Sequence, residues 1–350
     1  MLCDITRHGD FTEVKMGNDS GMIVELLSFG ACLKKVALPV NGVLRTITMT
    51  FSDDEEYTVH STGNCGKTLA PNAGEIGEKK GIALNDGSEI HPLANRNGNS
   101  LHGGAHAGNV RNWTLLSNGA DDSRAYAEFY LELPDGLDGW SGSRKFYVCY
   151  SLDNEDSLCI DLSAETDQTT YINMSNHAYW NLDDDPSKAM EQILFIDTEG
   201  MYFNGDDSLP LRVVSVDEIL RESGIDFRQS NSCSKLIAPT NGEYAKQVLA
   251  GKGIDNAFSL RKGREIDQRV CELISADQKL CLELFTDAPD LVVYMAGSLK
   301  EGILLNNGKL TCQNCAVALE AQEIPNLKVN RPLFPGEVFH RTIRYRIKRR

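Results

Sequence analysis

Lys145-Phe146-Tyr147-Val148-Cys149-Tyr150-Ser151-Leu152 and Leu158-Cys159-Ile160-Asp161-Leu162-Ser163-Ala164-Glu165, with Asn154-Glu155-Asp156 turning between them, decide the fold class. The second run alternates apolar and polar residues with period two, which suits a strand with one dry and one wet face. The first run is rich in aromatic residues, a strand composition rather than a helical one. Similar runs occupy residues 113–116, 125–133, 269–275, 279–286 and 338–345, and residues 169–174 read the same way. Toward the N-terminus, residues 22–29, 31–38 and 43–51 follow suit. Asn41-Gly42 falls between two of them, a strong hairpin signal that Asn85-Asp86-Gly87-Ser88 repeats. Ser215-Val216-Asp217-Glu218-Ile219-Leu220-Arg221 is the one convincing helix. Many short strands separated by turns predict an all-β sandwich or barrel. No repeat or linker divides residues 1–350, so a single domain is expected.

The 350 residues are 41% hydrophobic and 24% charged, a globular composition. The net charge of −15 argues against nucleic acid and anionic membranes as partners, since both require a basic surface. The basic stretch Arg344-Tyr345-Arg346-Ile347-Lys348-Arg349-Arg350 reads as a solvated terminus. No segment approaches the ~20 apolar residues of a membrane span. Residues 1–10 contain no apolar signal core, so no secretory leader is expected. The ten cysteines are scattered singly, several at apolar strand positions, as in a reduced cytoplasmic protein.

Three motifs invite misreading. Gly66-Lys67-Thr68 resembles the end of a phosphate loop, but Ser61 stands where the first glycine belongs and Ala70-Pro71 follows where a helix should start. Cys312-Gln313-Asn314-Cys315 has zinc spacing without a second pair, which favours a loop or strand-edge pair over metal. His102 and His106 are four apart, but Gly103-Gly104 between them argue against a metal-binding helix.

Ser175-Asn176-His177-Ala178-Tyr179-Trp180-Asn181-Leu182 gathers an imidazole, amides and aromatic rings. Histidine titrates near neutral pH and suits proton transfer. Aromatic faces suit a sugar, with its apolar C–H faces and polar hydroxyl edges. Glu320 interrupts the apolar run of residues 316–321, where burial would raise its pKa and fit it for base chemistry. Asp255 follows Gly251-Lys252-Gly253-Ile254, and His102 precedes two glycines that would leave room for a ligand. Trp140 lies in the loop Asp135-Gly136-Leu137-Asp138-Gly139-Trp140-Ser141-Gly142. Each feature alone fits a turn or a strand end.

In order along the chain, these pieces resemble the aldose 1-epimerases, or galactose mutarotases. The resemblance runs through Leu101-His102-Gly103-Gly104, the Trp140 loop, the His177 stretch, Gly253-Ile254-Asp255-Asn256 and Leu319-Glu320-Ala321-Gln322. It implies a large antiparallel β-sandwich that interconverts the α and β anomers of a free aldohexose, of galactose or glucose type, without metal or cofactor. It further implies Glu320 as base, His177 as acid, His102 as support near the ring oxygen, and Asp255 as a holder of hydroxyls. Trp180 and Trp140 would offer apolar surface to the sugar. Glu75 stands where the family carries an arginine that holds hydroxyls; either Arg96 or Lys67 replaces that cation, or the preferred sugar is not galactose. Val292 stands where many members carry glutamine. A hexose-6-phosphate epimerase and a non-catalytic sugar-binding sandwich are the alternatives, and both monomer and homodimer stay open.

Overall fold

The computed structural model describes residues 1–59 and 63–350, and of Asn326 the backbone alone; Ser61 lies outside the described residues. Three large antiparallel sheets form among them. The N-terminal sheet runs in sequence order through Leu2–His8, Phe11–Gly17, Ile23–Leu27, Cys32–Val40 and Val43–Thr46. The last two strands meet across Asn41-Gly42, whose φ values of 52° and 80° fit the tight hairpin turn that the dipeptide favours.

The largest sheet has nine strands. Thr114–Ala120, Arg124–Leu133, Arg144–Asp153 and Ser157–Thr166 form a meander at one end, and Leu280–Thr286, Cys271–Ile274, Ile193–Ile196 and Asn231–Ser232 continue the other. Phe339–Arg349 lies between the two groups, paired to Ser157–Thr166 on one side and to Leu280–Thr286 on the other. The basic C-terminal stretch is therefore a central strand rather than a solvated tail. Its parity explains the composition: Ile343, Tyr345 and Ile347 point into the core, while Arg346 and Lys348 point outward to Glu283 at 2.7 and 2.8 Å.

The third sheet orders Tyr179–Trp180, Val317–Gln322, Asp290–Tyr294, Asp255–Leu260, Thr198–Asn204 and Pro210–Ser215. One buried cluster draws on all three sheets, with Val24 and Leu38, then Phe129, Ile160 and Ile343, then Phe258, Leu291 and Leu319. The outcome is a large antiparallel β-sandwich.

The helix Val216–Ser223 forms where expected, capped by Ser215, whose side chain accepts from the Glu218 N–H, and ended by Gly224 at φ 74°. A second helix, Gly242–Gly251, escaped the sequence pattern because it buries only Tyr244 and Val248, too narrow a stripe to register as a period. Residues 169–174 form no strand. They make isolated bridges, Thr170 with Leu333 and Asn173 with Asn72, and Asn173 spends its side chain on Asn72, Ala73 and Glu323.

The alternation on Phe339–Arg349 predicts unequal costs for neighbouring truncations. Ile343→Ala should destabilise the protein by about 2–5 kcal/mol through a core cavity. Arg344→Ala removes a guanidinium seated 4.5 Å from the Phe285 ring on the outer face, and should cost no more than about 1 kcal/mol. Denaturant unfolding of the two variants checks the contrast; equal costs would refute the assigned faces.

Candidate active site

The six-stranded sheet builds the site by register. Cross-strand partners share a face, as do residues two apart. Asp255 pairs with Tyr294 and Ala257 with Val292, and Val292 pairs in turn with Glu320. Asp255, Ala257, Val292, Tyr294, Glu320 and Gln322 therefore form one patch. All six line a cavity of about 610 Å³, together with His102, His177, Tyr179, Glu75 and Arg96.

His177 reaches this cavity from an adjoining segment. Its N–H donates to Lys67 O and its carbonyl accepts from Gly66 N–H, both at 2.9 Å. The false phosphate loop thus clamps the histidine backbone. Lys67 is itself buried, its Nζ 5.2 Å from the Phe29 ring, and does not line the cavity. Of the two cations offered in place of the family arginine, Arg96 is the one at the cavity.

His177 Nε2 lies 3.3 Å from Glu320 Oε1, and the two side chains are 6% and 3% exposed. So little solvent makes charge expensive on either group. Burial holds the Glu320 carboxyl well above its usual range, and the charge of Asp255 adds to the effect. Burial lowers His177 to about 4, and the Lys67 charge acts in the same direction. Glu320 Oε2 and His177 Nδ1 have no hydrogen-bond partner among the described residues.

His102 lies edge-on to His177, with ring centroids 5.5 Å apart. Its Nδ1 accepts from the Gly74 N–H at 3.2 Å, which leaves the ring proton on Nε2. Burial, the neighbouring His177 and Arg96 keep it well below the ordinary histidine pKa, hence neutral. It is a donor of fixed tautomer. Asp255 borders the cavity and is open to solvent there; desolvation by the surrounding walls raises it to about 6, with Arg96 opposing and Glu75 reinforcing the shift. Glu75 is also raised by burial, and it accepts from Asn99 Nδ2 at 3.2 Å.

Trp180 and Trp140 do not line the cavity. Side chains alternate along Tyr179–Trp180, so with Tyr179 on the cavity side Trp180 points into the core, 4.6 Å from the Tyr345 ring. Trp140 packs with Ile76, Ile82, Ile90 and Tyr171, and its Nε1 donates to Gly103 O at 2.8 Å, bracing the His102 loop from behind. The aromatic walls are Tyr179 and Tyr294, which sequence reasoning passed over although Tyr179 shares the parity of His177. Gly103 and Gly104 make no room for a ligand either. A Cβ on them would lie 2.6 Å from Pro71 Cδ and 2.5 Å from Asp138 Oδ2, so close packing requires glycine there.

His106 turns away from His102 and meets Asp138 Oδ1 at 2.9 Å. Cys315 is buried against Met49, with 3.8 Å between the sulfurs. Among the described residues no group of three or more His, Cys, Asp or Glu side chains could hold a metal ion.

An acid, a base, a neutral donor and an acceptor around a pocket with tyrosine walls can bind a polyol and move protons on it. Comparison with known proteins points the same way. Residues 12–346 match the family description of aldose 1-epimerases. The chain is 26% identical over 323 residues to aldose 1-epimerase of Streptococcus thermophilus, covering 91% of this chain and 87% of that one. It is 30% identical over 342 residues to galactose mutarotase of Rattus norvegicus, covering 91% and 89%. The crystal structure of galactose 1-epimerase from Lactobacillus acidophilus superposes with a TM-score of 0.83 at 25% identity, over 99% of this chain and 98% of that one. The chain belongs to the aldose 1-epimerase family and is by that membership an isomerase of the mutarotase type.

Proposed function

We propose that the protein interconverts the α and β anomers of a free aldohexose of galactose or glucose type, with Glu320 and His177 as its base and acid. The observation that carries this reading is the 3.3 Å contact between two buried, mutually opposed titratable groups at a cavity roomy enough for a hexose. Glu320, which lines the cavity, accepts the C1 hydroxyl proton. His177 returns a proton to the ring oxygen. The ring opens, the aldehyde rotates about C1–C2, and closure on the other face reverses both transfers. The pair holds one proton throughout, so the cycle ends as it began. In the empty cavity both pKa shifts favour the uncharged arrangement, and the hydroxyls of an entering sugar stabilise the carboxylate and move the proton to the imidazole.

Neutral His102 donates from Nε2 near the ring oxygen, and Asp255, Glu75 and Arg96 hold hydroxyls. Beside the uncharged Glu320–His177 pair, the cavity walls set Glu75, Asp255 and Glu323 against Arg96 and Lys300, an acidic balance that favours neutral sugars over sugar phosphates. The same reading takes the chain as one domain, since a single core cluster includes residues from Val14 to Ile347. It takes the compartment as cytoplasmic, since all ten cysteines are free.

Polarimetry of freshly dissolved α-galactose and α-glucose should show optical rotation decaying faster with protein than in buffer. Buffer-like rates across a panel of free aldoses would refute the assignment. Glu320→Gln should fold normally and lose about 10²–10⁴-fold in rate, the usual worth of a positioned proton transfer. A fully active variant would remove Glu320 from the role of base. The pH profile of kcat/KM should fall below about pH 4, where His177 takes a second proton onto the pair. It should fall again above the ordinary carboxylate range, where the last proton leaves Glu320. Arg96→Ala should raise KM about tenfold with kcat nearly unchanged, as expected for a group that binds ground and transition states alike.

A further inference from the structure

Gln322 stands two residues beyond Glu320 on Val317–Gln322, hence on the same strand face, and it lines the same cavity. The residue is 0% exposed, yet neither Oε1 nor Nε2 has a hydrogen-bond partner among the described residues. Buried amides in folded proteins are nearly always paired, so an amide with both ends idle needs a reason. Asn173 and Asp290, which meet the end of this strand, have other partners. Asn173 Nδ2 donates to Asn72 Oδ1 at 3.1 Å and to Glu323 O at 3.1 Å. Asp290, the cross-strand partner of Gln322, accepts from Tyr202 Oη at 2.9 Å and from Ile324 N at 3.2 Å. The opposite wall gives way to the amide: Gly74 has φ +81°, and a Cβ there would lie 3.1 Å from Gln322 Oε1. Val292, across the strand from Glu320, offers only methyl groups.

We propose that Gln322 is a substrate-holding residue whose carboxamide binds a sugar hydroxyl remote from C1. The proposal rests on the epimerase reading. With Glu320 at the C1 hydroxyl, the next position on that face lies about 7 Å along the strand, a span that crosses a pyranose ring. A hydroxyl both donates and accepts, and the amide offers one group of each kind. The favoured substrates are then aldopyranoses with that distal hydroxyl free.

Gln322→Met tests this, because it keeps length and bulk while deleting the amide. Three quantities are measured for wild type and variant: the melting temperature, the calorimetric affinity for galactose and for its 3-, 4- and 6-deoxy analogues, and the mutarotation rate. The melting temperature should hold or rise, since the lost groups had no partner in the ligand-free protein. Affinity for galactose should fall about 3- to 10-fold, the worth of a neutral hydrogen bond. One deoxy analogue should bind both proteins equally well. A loss shared by every analogue, no loss at all, or a melting temperature lowered by several degrees would overturn the proposal. Binding is read apart from turnover, so a protein that bound galactose without speeding mutarotation would refute the epimerase reading alone. Failure to bind any of these sugars would overturn both.

Discussion

Glu320 and His177 meet at 3.3 Å where water hardly reaches, and the rest of the molecule is arranged around that contact. An isolated charge there would be costly. Burial therefore pushes the carboxyl up and the imidazole down, which favours the uncharged forms of both. In the proposed reaction the same burial readies the pair for transfer, since a small change in surroundings would move the proton between them. His102 adds a donor without adding charge, because the Gly74 N–H occupies its Nδ1.

The nine-stranded and six-stranded sheets reach each other close to this point. Tyr345, on the central strand Phe339–Arg349, donates from its hydroxyl to Leu319 O at 3.1 Å, one residue before Glu320. Trp180 packs on the same tyrosine, three residues after His177. The residues adjoining His177 and Glu320 thus share a rigid backing in the core. Trp140 does similar work for the His102 loop through Gly103 O. Both indoles support the site from the dry side.

The alternating runs and Asn-Gly turns made the sandwich readable, because strand period and hairpin chemistry are local properties. Glu320 showed itself as an acid inside an apolar run, and His177, His102 and Asp255 stood out by residue type; all four border one cavity. The errors share a physical cause. Which face of a strand looks into the cavity depends on register with strands far away in sequence. Trp180 was expected to face the sugar, but Tyr179, with the parity of His177, lines the cavity instead. Gly103-Gly104 looked like space for a ligand, but Pro71 and Asp138 occupy it, neighbours that only the tertiary fold supplies. The C-terminal basic run read as a tail because insertion between two distant strands leaves no trace in composition. Gln322 sat in a recognised stretch, and the emptiness around its amide became visible only with its neighbours in place.

The central claim is that a single proton rests on a buried pair that carries no separated charges until sugar enters. Nitrogen-15 NMR of the His177 ring in ligand-free protein tests it directly. The account predicts a neutral imidazole at pH 7 that gains charge only near pH 4. An imidazolium signal at pH 7, or a titration at the ordinary histidine value of about 6.5, would contradict it.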